Sequence, residues 1–345
     1  MQRKVVLRKG NLFALFLIVV FLIAACSKKK ETAVTVNAER QEVYQIRTWS
    51  KPDCTGAPYF VGEKMGFFKE EGVEIIYTGN TEVPIRVASI LNGDNNVGDA
   101  HPNEIAIARE GGATIRAVAL SIIEPPPGID DLHLQHMWWI TAKDSPIKKP
   151  EDINAFPGRV KIQMIVRNAC MDFNTDVLLT RYNIPREKFE YITMPDIEGI
   201  QALSQGLIDI AIPHPPFFKS AEDLGANIIA TSRDLRGEHA GTYLYYFADN
   251  FIEKNPEAVR RFVRSIKKAE RWANDNPEQT AKWTEEAIGI PVLANHYYAR
   301  TSAINDEGIE IWIQGARDSG ALEPGAKVKV PDIVTHQFDE AGAEL

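Results

Sequence analysis

Apolar positions follow two periods along this chain, and the two take turns. Val43-Tyr44-Gln45-Ile46-Arg47-Thr48-Trp49 alternates as a strand does, and a turn-rich stretch to Pro58 follows. Tyr59, Phe60, Met65 and Phe68 are then spaced for a helix, and Gly72 precedes a second strand, Val73–Tyr77. The cycle continues through a helix over Ile85–Leu91, strand Asn96–Asp99, helix Asn103–Arg109 and strand Thr114–Leu120. Three consecutive prolines, Pro125 to Pro127, break the rhythm, because proline fits neither a helix interior nor a central strand. A second cycle predicts strands at Trp138–Ala142, Val160–Ile165, Glu190–Ile192 and Ile208–Ile212, with helices over Asp172–Tyr182 and Ile197–Gln205. Strands separated by helices predict mostly parallel sheets with helices on their faces, so the fold class is α/β. The last third is mainly helical: Asn255-Pro256-Glu257 and Asn276-Pro277-Glu278 each pair a capping residue with proline and an acid in the first turn.

The N-terminus has a different pattern. Arg3, Lys4, Arg8 and Lys9 precede an apolar run from Leu12 to Leu22, too short to span a bilayer, which ends in Ile23-Ala24-Ala25-Cys26-Ser27. This order predicts a secretory signal over residues 1–25. The cysteine after two alanines resembles the lipobox of bacterial lipoproteins, which implies acylation of Cys26 and an extracytoplasmic protein lipid-anchored to the bacterial cell membrane, on the periplasmic side if the cell is Gram-negative. Residues 26–40 are polar and aperiodic, and are expected to be a flexible tether. The chain of 345 residues carries a net charge of −8, and loss of a basic signal makes it more acidic still. That excludes nucleic acid as the expected partner and leaves any anion to be caught by local donors. Cys54 and Cys170 are expected to be two free thiols.

Four segments, in this order, carry a family resemblance. They are Met65-Gly66-Phe67-Phe68-Lys69-Glu70-Glu71-Gly72-Val73; Lys143-Asp144-Ser145-Pro146-Ile147 with Glu151-Asp152-Ile153; Gly199 through Asp209; and Asn255-Pro256-Glu257-Ala258-Val259 with Ala269 through Ala273. They resemble the solute-binding proteins of bacterial ABC importers, in the nitrate/sulfonate/taurine/thiamine-precursor group. The resemblance implies a two-lobed periplasmic-binding-protein-like fold with residues 41–142 plus 243–345 as lobe I, residues 143–242 as lobe II, and the ligand in the cleft between them. It also implies a monomer that hands a small-molecule solute to an ABC permease and its ATPase. An alkanesulfonate, taurine-like or nitrate-like anion is the favoured solute, and an aromatic or heterocyclic solute such as a thiamine pyrimidine precursor is the alternative. An enzyme on the same scaffold, acting on a small ring compound, is the reading of another class.

Ligands of open α/β sheets bind beyond the C-terminal strand ends. Contacts are therefore expected in four loops: Trp49, Asp53, Cys54 and Thr55; Asp99 and His101; Arg167, Asn168 and Cys170; His214 and Phe217. Arg167 has the forked guanidinium that suits a carboxylate or sulfonate. Prolines 213, 215 and 216 stiffen the backbone around His214. Ordinary capping and turn chemistry is the competing explanation for each loop. Asp99, His101 and Glu104 together would suit a divalent ion, but a single histidine in that loop favours contact with an organic ligand, so no metal, no cofactor and no catalytic residue is expected. No phosphate loop, His-x-x-x-His pair or Gly-x-Ser-x-Gly elbow is present. One of Trp138 and Trp139 is expected to face the core and the other to be available to the cleft.

Overall fold

The structure is a computed structural model and describes residues 43–343; the signal, Cys26 and the tether lie outside the described residues. Nine strands are present among them: β1 (Tyr44–Thr48), β2 (Val73–Tyr77), β3 (Val97–Ala100), β4 (Ile115–Leu120), β5 (Trp138–Thr141), β6 (Val160–Met164), β7 (Phe189–Thr193), β8 (Asn227–Thr231) and β9 (Leu244–Ala248).

The first sheet begins with the parallel pair β1–β2, Tyr44 opposite Val73. Asn96 links this pair to β3: its N–H donates to the Arg47 carbonyl (2.8 Å), and its Oδ1 accepts from the Arg47 N–H (2.9 Å). β9 then lies antiparallel between β3 and β4. Sequence pattern does not single out β9. Leu244-Tyr245-Tyr246-Phe247-Ala248 is buried on both faces, so it has no alternation to read. The second sheet has the parallel pair β6–β7, with residues 209–211 bridging β6 to β5 and β8 antiparallel to β5. Crossover strands thus return antiparallel, while the strands that open each cycle run parallel.

Most helices fall where the periodicity predicts them. Pro256–Asp275 turns Val259, Phe262, Val263 and Ile266 onto the first sheet. Phe262 packs there against Tyr59, Phe68, Tyr245 and Phe247 at ring-centroid distances of 5.5–6.5 Å. Asp306–Asp318 is a helix that pattern alone leaves ambiguous, because Ile309, Ile311, Trp312 and Ile313 favour strand as readily. Its Trp312 is fully buried in the core of the second sheet, stacked on Phe173 at 3.7 Å. This helix therefore packs on the first core through Ile309 and Ile313 while its Trp312 side chain enters the second. Trp138 and Trp139 are both buried: Trp138 stacks on Phe218 at 3.8 Å, and the Trp139 Nε1 donates to Thr175 (3.1 Å). Among the described residues no helix is long and apolar enough to cross a membrane.

Candidate functional site

One cavity of about 300 Å³ lies beyond the C-terminal ends of β1, β3 and β6 and of the segment 208–212. Each of these strands runs into a loop that begins the next helix, so backbone N–H groups and short loop side chains converge on one space. Apolar walls come from Val83, Ile122, Ile165, Val166, Met171 and Phe217.

The site residues expected from sequence separate into two groups. Asp53, Thr55, His101, Cys170, His214 and Phe217 line the cavity. Asp53 accepts the Thr55 N–H (2.8 Å), so its carboxylate holds the turn open toward the cleft. The others are placed elsewhere. Trp49 is buried beneath the Lys51 ammonium, 4.5 Å from its ring, and Asp99 is buried in an ion pair with that same ammonium. Cys54 packs against Ala281 and Val292, with its Sγ 3.8 Å from the Ala294 carbonyl. Arg167 is half exposed, donates to Asp172 (2.8 Å) and lies 3.9 Å over the Tyr191 ring. Asn168 takes a left-handed backbone at φ 64°, and its carbonyl accepts from Asn103 (2.8 Å). Cys54 and Cys170 are separate free thiols.

Three cavity residues carry no local sequence signal: Arg86, His136 and His296. Arg86 opens its own helix, donates to the Thr81 carbonyl (3.1 Å) and lies 4.9 Å over the Trp49 ring. His136 precedes β5, and its N–H donates to Glu124 (3.2 Å). His296 enters from a loop near the C-terminus. The only hint in sequence is collective: the chain has seven histidines, and four of them meet at this cavity.

The imidazoles are close to one another. His136 is 5.0 Å from His101, 5.1 Å from His214 and 5.2 Å from His296, between ring centroids. The His101 Nδ1 meets the Thr242 carbonyl at 2.7 Å, and its ring is stacked on Trp312. The His214 Nδ1 meets Asp196 at 2.9 Å, and its Nε2 faces the Cys170 sulfur at 3.6 Å. Both ring nitrogens of His136 are buried without a partner.

Electrostatics follow from these contacts. Burial lowers His101 and His296 to about 3. Burial, with the neighbouring imidazoles, also lowers His136 well below the usual range. Burial would lower His214 too, but the Asp196 carboxylate outweighs it and raises His214 to about 10. Burial pushes the Cys170 thiol up against the pull of His214. The cavity thus presents Arg86 and a protonated His214, the latter paired with Asp196, beside three neutral imidazoles, a thiol and the acidic side chains of Asp53 and Glu104.

Known proteins place this architecture. A ligand-binding component of an ABC-type import system from Staphylococcus aureus, solved with zinc bound, superposes with a TM-score of 0.71 at 14% identity, over 88% of this chain and 99% of that one. The aliphatic sulphonate binding protein SsuA from Escherichia coli gives 0.68 at 15%, over 85% and 92%. The nitrate-binding protein NrtA from Synechocystis PCC 6803 gives 0.71 at 12%, over 87% and 88%. The desulfurization enzyme DSZB has the same fold, with a TM-score of 0.60 at 12% identity, over 86% and 98%. These likenesses establish the two-lobed periplasmic-binding-protein fold. No curated protein matches the chain. Residues 54–280, about two thirds of the chain, match the family described as NMT1/THI5 like. The chain belongs to the NMT1/THI5-like family.

Proposed function

We propose that this protein is the solute-binding component of an ABC importer, closing its two lobes around a small anion and presenting it to a permease. The observation that carries this reading is the cavity of about 300 Å³ at the strand ends, faced by Arg86 and His214. Structural neighbours named for sulphonate and nitrate binding support it. A cavity of this size suits a solute of few heavy atoms. Cationic donors set in apolar walls would discriminate by leaving polar groups unpaired around the wrong solute. The lobe boundaries at residues 142/143 and 242/243, the acyl anchor on Cys26 and a monomeric, extracytoplasmic state belong to the same proposal.

A thermal-shift series with taurine, ethanesulfonate, nitrate and an aminopyrimidine tests it. An anion is expected to raise the melting temperature, since a ligand at 100 times its Kd stabilises by about 2.7 kcal/mol. Arg86→Ala is expected to weaken that anion by about 1.5 kcal/mol or more, roughly tenfold. Arg167→Ala, already paired with Asp172 outside the cavity, is expected to change it less than about twofold. A shift with the aminopyrimidine and with no anion would transfer the reading to a heterocyclic solute.

One observation favours a second reading, thiol chemistry on the same scaffold. Cys170, His214 and Asp196 stand in the order nucleophile, base and orienting group, at 3.6 and 2.9 Å. DSZB shows that this fold can carry an enzyme. The electrostatics weigh against it, because a buried thiol held up beside an already protonated imidazole is not the active thiolate. Iodoacetamide alkylation of Cys170, read by peptide mass, is expected to be slower at pH 7 than that of free cysteine and to speed up in alkaline buffer. Fast labelling at pH 7 that is lost in His214→Ala would establish the enzyme reading.

A further inference from the structure

We infer that His101, His136 and Cys170 form a site for a divalent transition-metal ion of the zinc class in the cavity wall. Nε2 or Nδ1 of each imidazole and the sulfur offer one ligand atom apiece, and these atoms all lie within 4.8 Å of one another. A tetrahedral zinc with bonds of about 2.0–2.3 Å sets its ligand atoms roughly 3.3–3.8 Å apart. The cluster reaches that spacing with side-chain shifts on the order of 1 Å.

The hydrogen bonds leave the ligand atoms free in the required sense. The Thr242 carbonyl can only accept, so the His101 Nδ1 is the protonated nitrogen and Nε2 keeps its lone pair. That arrangement, an imidazole oriented by a carbonyl through its other nitrogen, is how metal-bound histidines are held. His136 is 4% exposed, and neither of its ring nitrogens has a partner. A buried imidazole with two unpaired nitrogens is costly unless a ligand or water satisfies it. Two nitrogens and a thiolate are soft donors, which selects zinc, cobalt or copper over magnesium or calcium. Binding displaces the Cys170 thiol proton to solvent, so each ion bound releases one proton. Three protein ligands leave the fourth position open to the cavity, where a solute donor has access. The site goes beyond the solute-binding reading and does not depend on the solute being an anion.

The test is calorimetric titration of the untagged, EDTA-stripped chain with zinc sulfate in buffers of different ionisation enthalpy, with cobalt(II) followed by absorbance. One equivalent is expected to bind with release of one proton, and cobalt is expected to develop a thiolate charge-transfer band. His136→Gln and Cys170→Ser are each expected to lose about 100-fold or more in zinc affinity, beyond the 10–100-fold typical of outer-shell changes. Cys170→Ser is also expected to lose the charge-transfer band. His133→Ala, half buried and outside the cavity, is expected to match the parent. Unchanged melting of the apo variants identifies a loss as local. No saturable zinc binding in the parent, or parent-like affinity in both cavity variants, overturns the site. The anion thermal shift repeated in EDTA reads the solute proposal separately.

Discussion

Replacing Trp312 by alanine is expected to lower the stability of the folded chain by about 3–5 kcal/mol, the usual range for a fully buried aromatic. Its ring is enclosed between Phe173 at 3.7 Å and His101 at 4.8 Å, each inclined at 12°, and its Nε1 donates to the His239 carbonyl at 2.8 Å. The helix that carries it packs along Pro102–Glu110 through Ile309 and Ile313, while the ring itself sits in the core of the second sheet. Truncation therefore opens a void in one core and removes the stack that holds the His101 ring. A urea unfolding curve measures the loss. Trp312→Phe should retain the stack and lose mainly the hydrogen bond, at about 1 kcal/mol. A cost for Trp312→Ala below about 1 kcal/mol would mean that the stack contributes little to joining the two sheets. Gly315, one turn on, shows how closely the helix approaches: an added Cβ would lie 2.3 Å from the Phe173 ring.

The second large effect is expected at Lys51 and Asp99. The two are buried as an ion pair, and the Lys51 ammonium also lies over the Trp49 and Tyr59 rings at 4.5 and 5.0 Å. Desolvation lowers the Lys51 pKa, and the Asp99 carboxylate opposes that shift. Removing one charge leaves the other buried without compensation, so Lys51→Met is expected to cost about 3–5 kcal/mol. The remaining donor near Asp99, the Tyr243 hydroxyl at 3.5 Å, is too distant to replace the ammonium. Lys51→Met combined with Asp99→Asn should recover most of the loss, because a neutral amide is much cheaper to bury than a carboxylate. Stability equal to the parent in Lys51→Met alone would show that water reaches the pair. A double-mutant cycle in urea gives the coupling energy directly.

The Lys51–Asp99 pair also explains which site residues could be read from sequence. Trp49 begins a strand-to-helix loop and Asp99 stands near the C-terminal end of β3, close to where a ligand would be sought, yet both are held by a lysine on the first loop and not turned to the cavity. Arg167 occupies such a loop too, but Asp172, five residues on, captures its guanidinium. Local spacing shows that a loop exists and which elements flank it. It does not show which partner wins a side chain, because that competition is settled by groups such as Lys51 and Tyr191 that are distant in sequence from the residue they hold. His101, Cys170 and His214 were legible because each lies after a strand or bridging segment, before or at the start of the helix that follows it. Arg86 begins a helix after a 3-10 turn, and His136 precedes its strand, so neither stands where a C-terminal strand end would draw attention.

Strands β1, β2 and β6 and the long helix Pro256–Asp275 were determined by the chain's own pattern. Period-two or period-3.6 burial leaves one face apolar, and the caps are local backbone chemistry. β9 was not, because a segment buried on both faces has no polar face to mark its period; the helix Asp306–Asp318 was not, because Ile309, Ile311, Trp312 and Ile313 favour strand as readily as helix. The sequence by itself determined an α/β chain with two cycles, strand-end loops as the place of the site, and a family resemblance that the family match then established. Only tertiary structure decided that four histidines and one cysteine, spread from residue 101 to residue 296, meet around one cavity. The physical reason is that strand ends converge in space while their loops stay far apart along the chain. The chemistry of the site therefore depends on distances that local sequence does not encode.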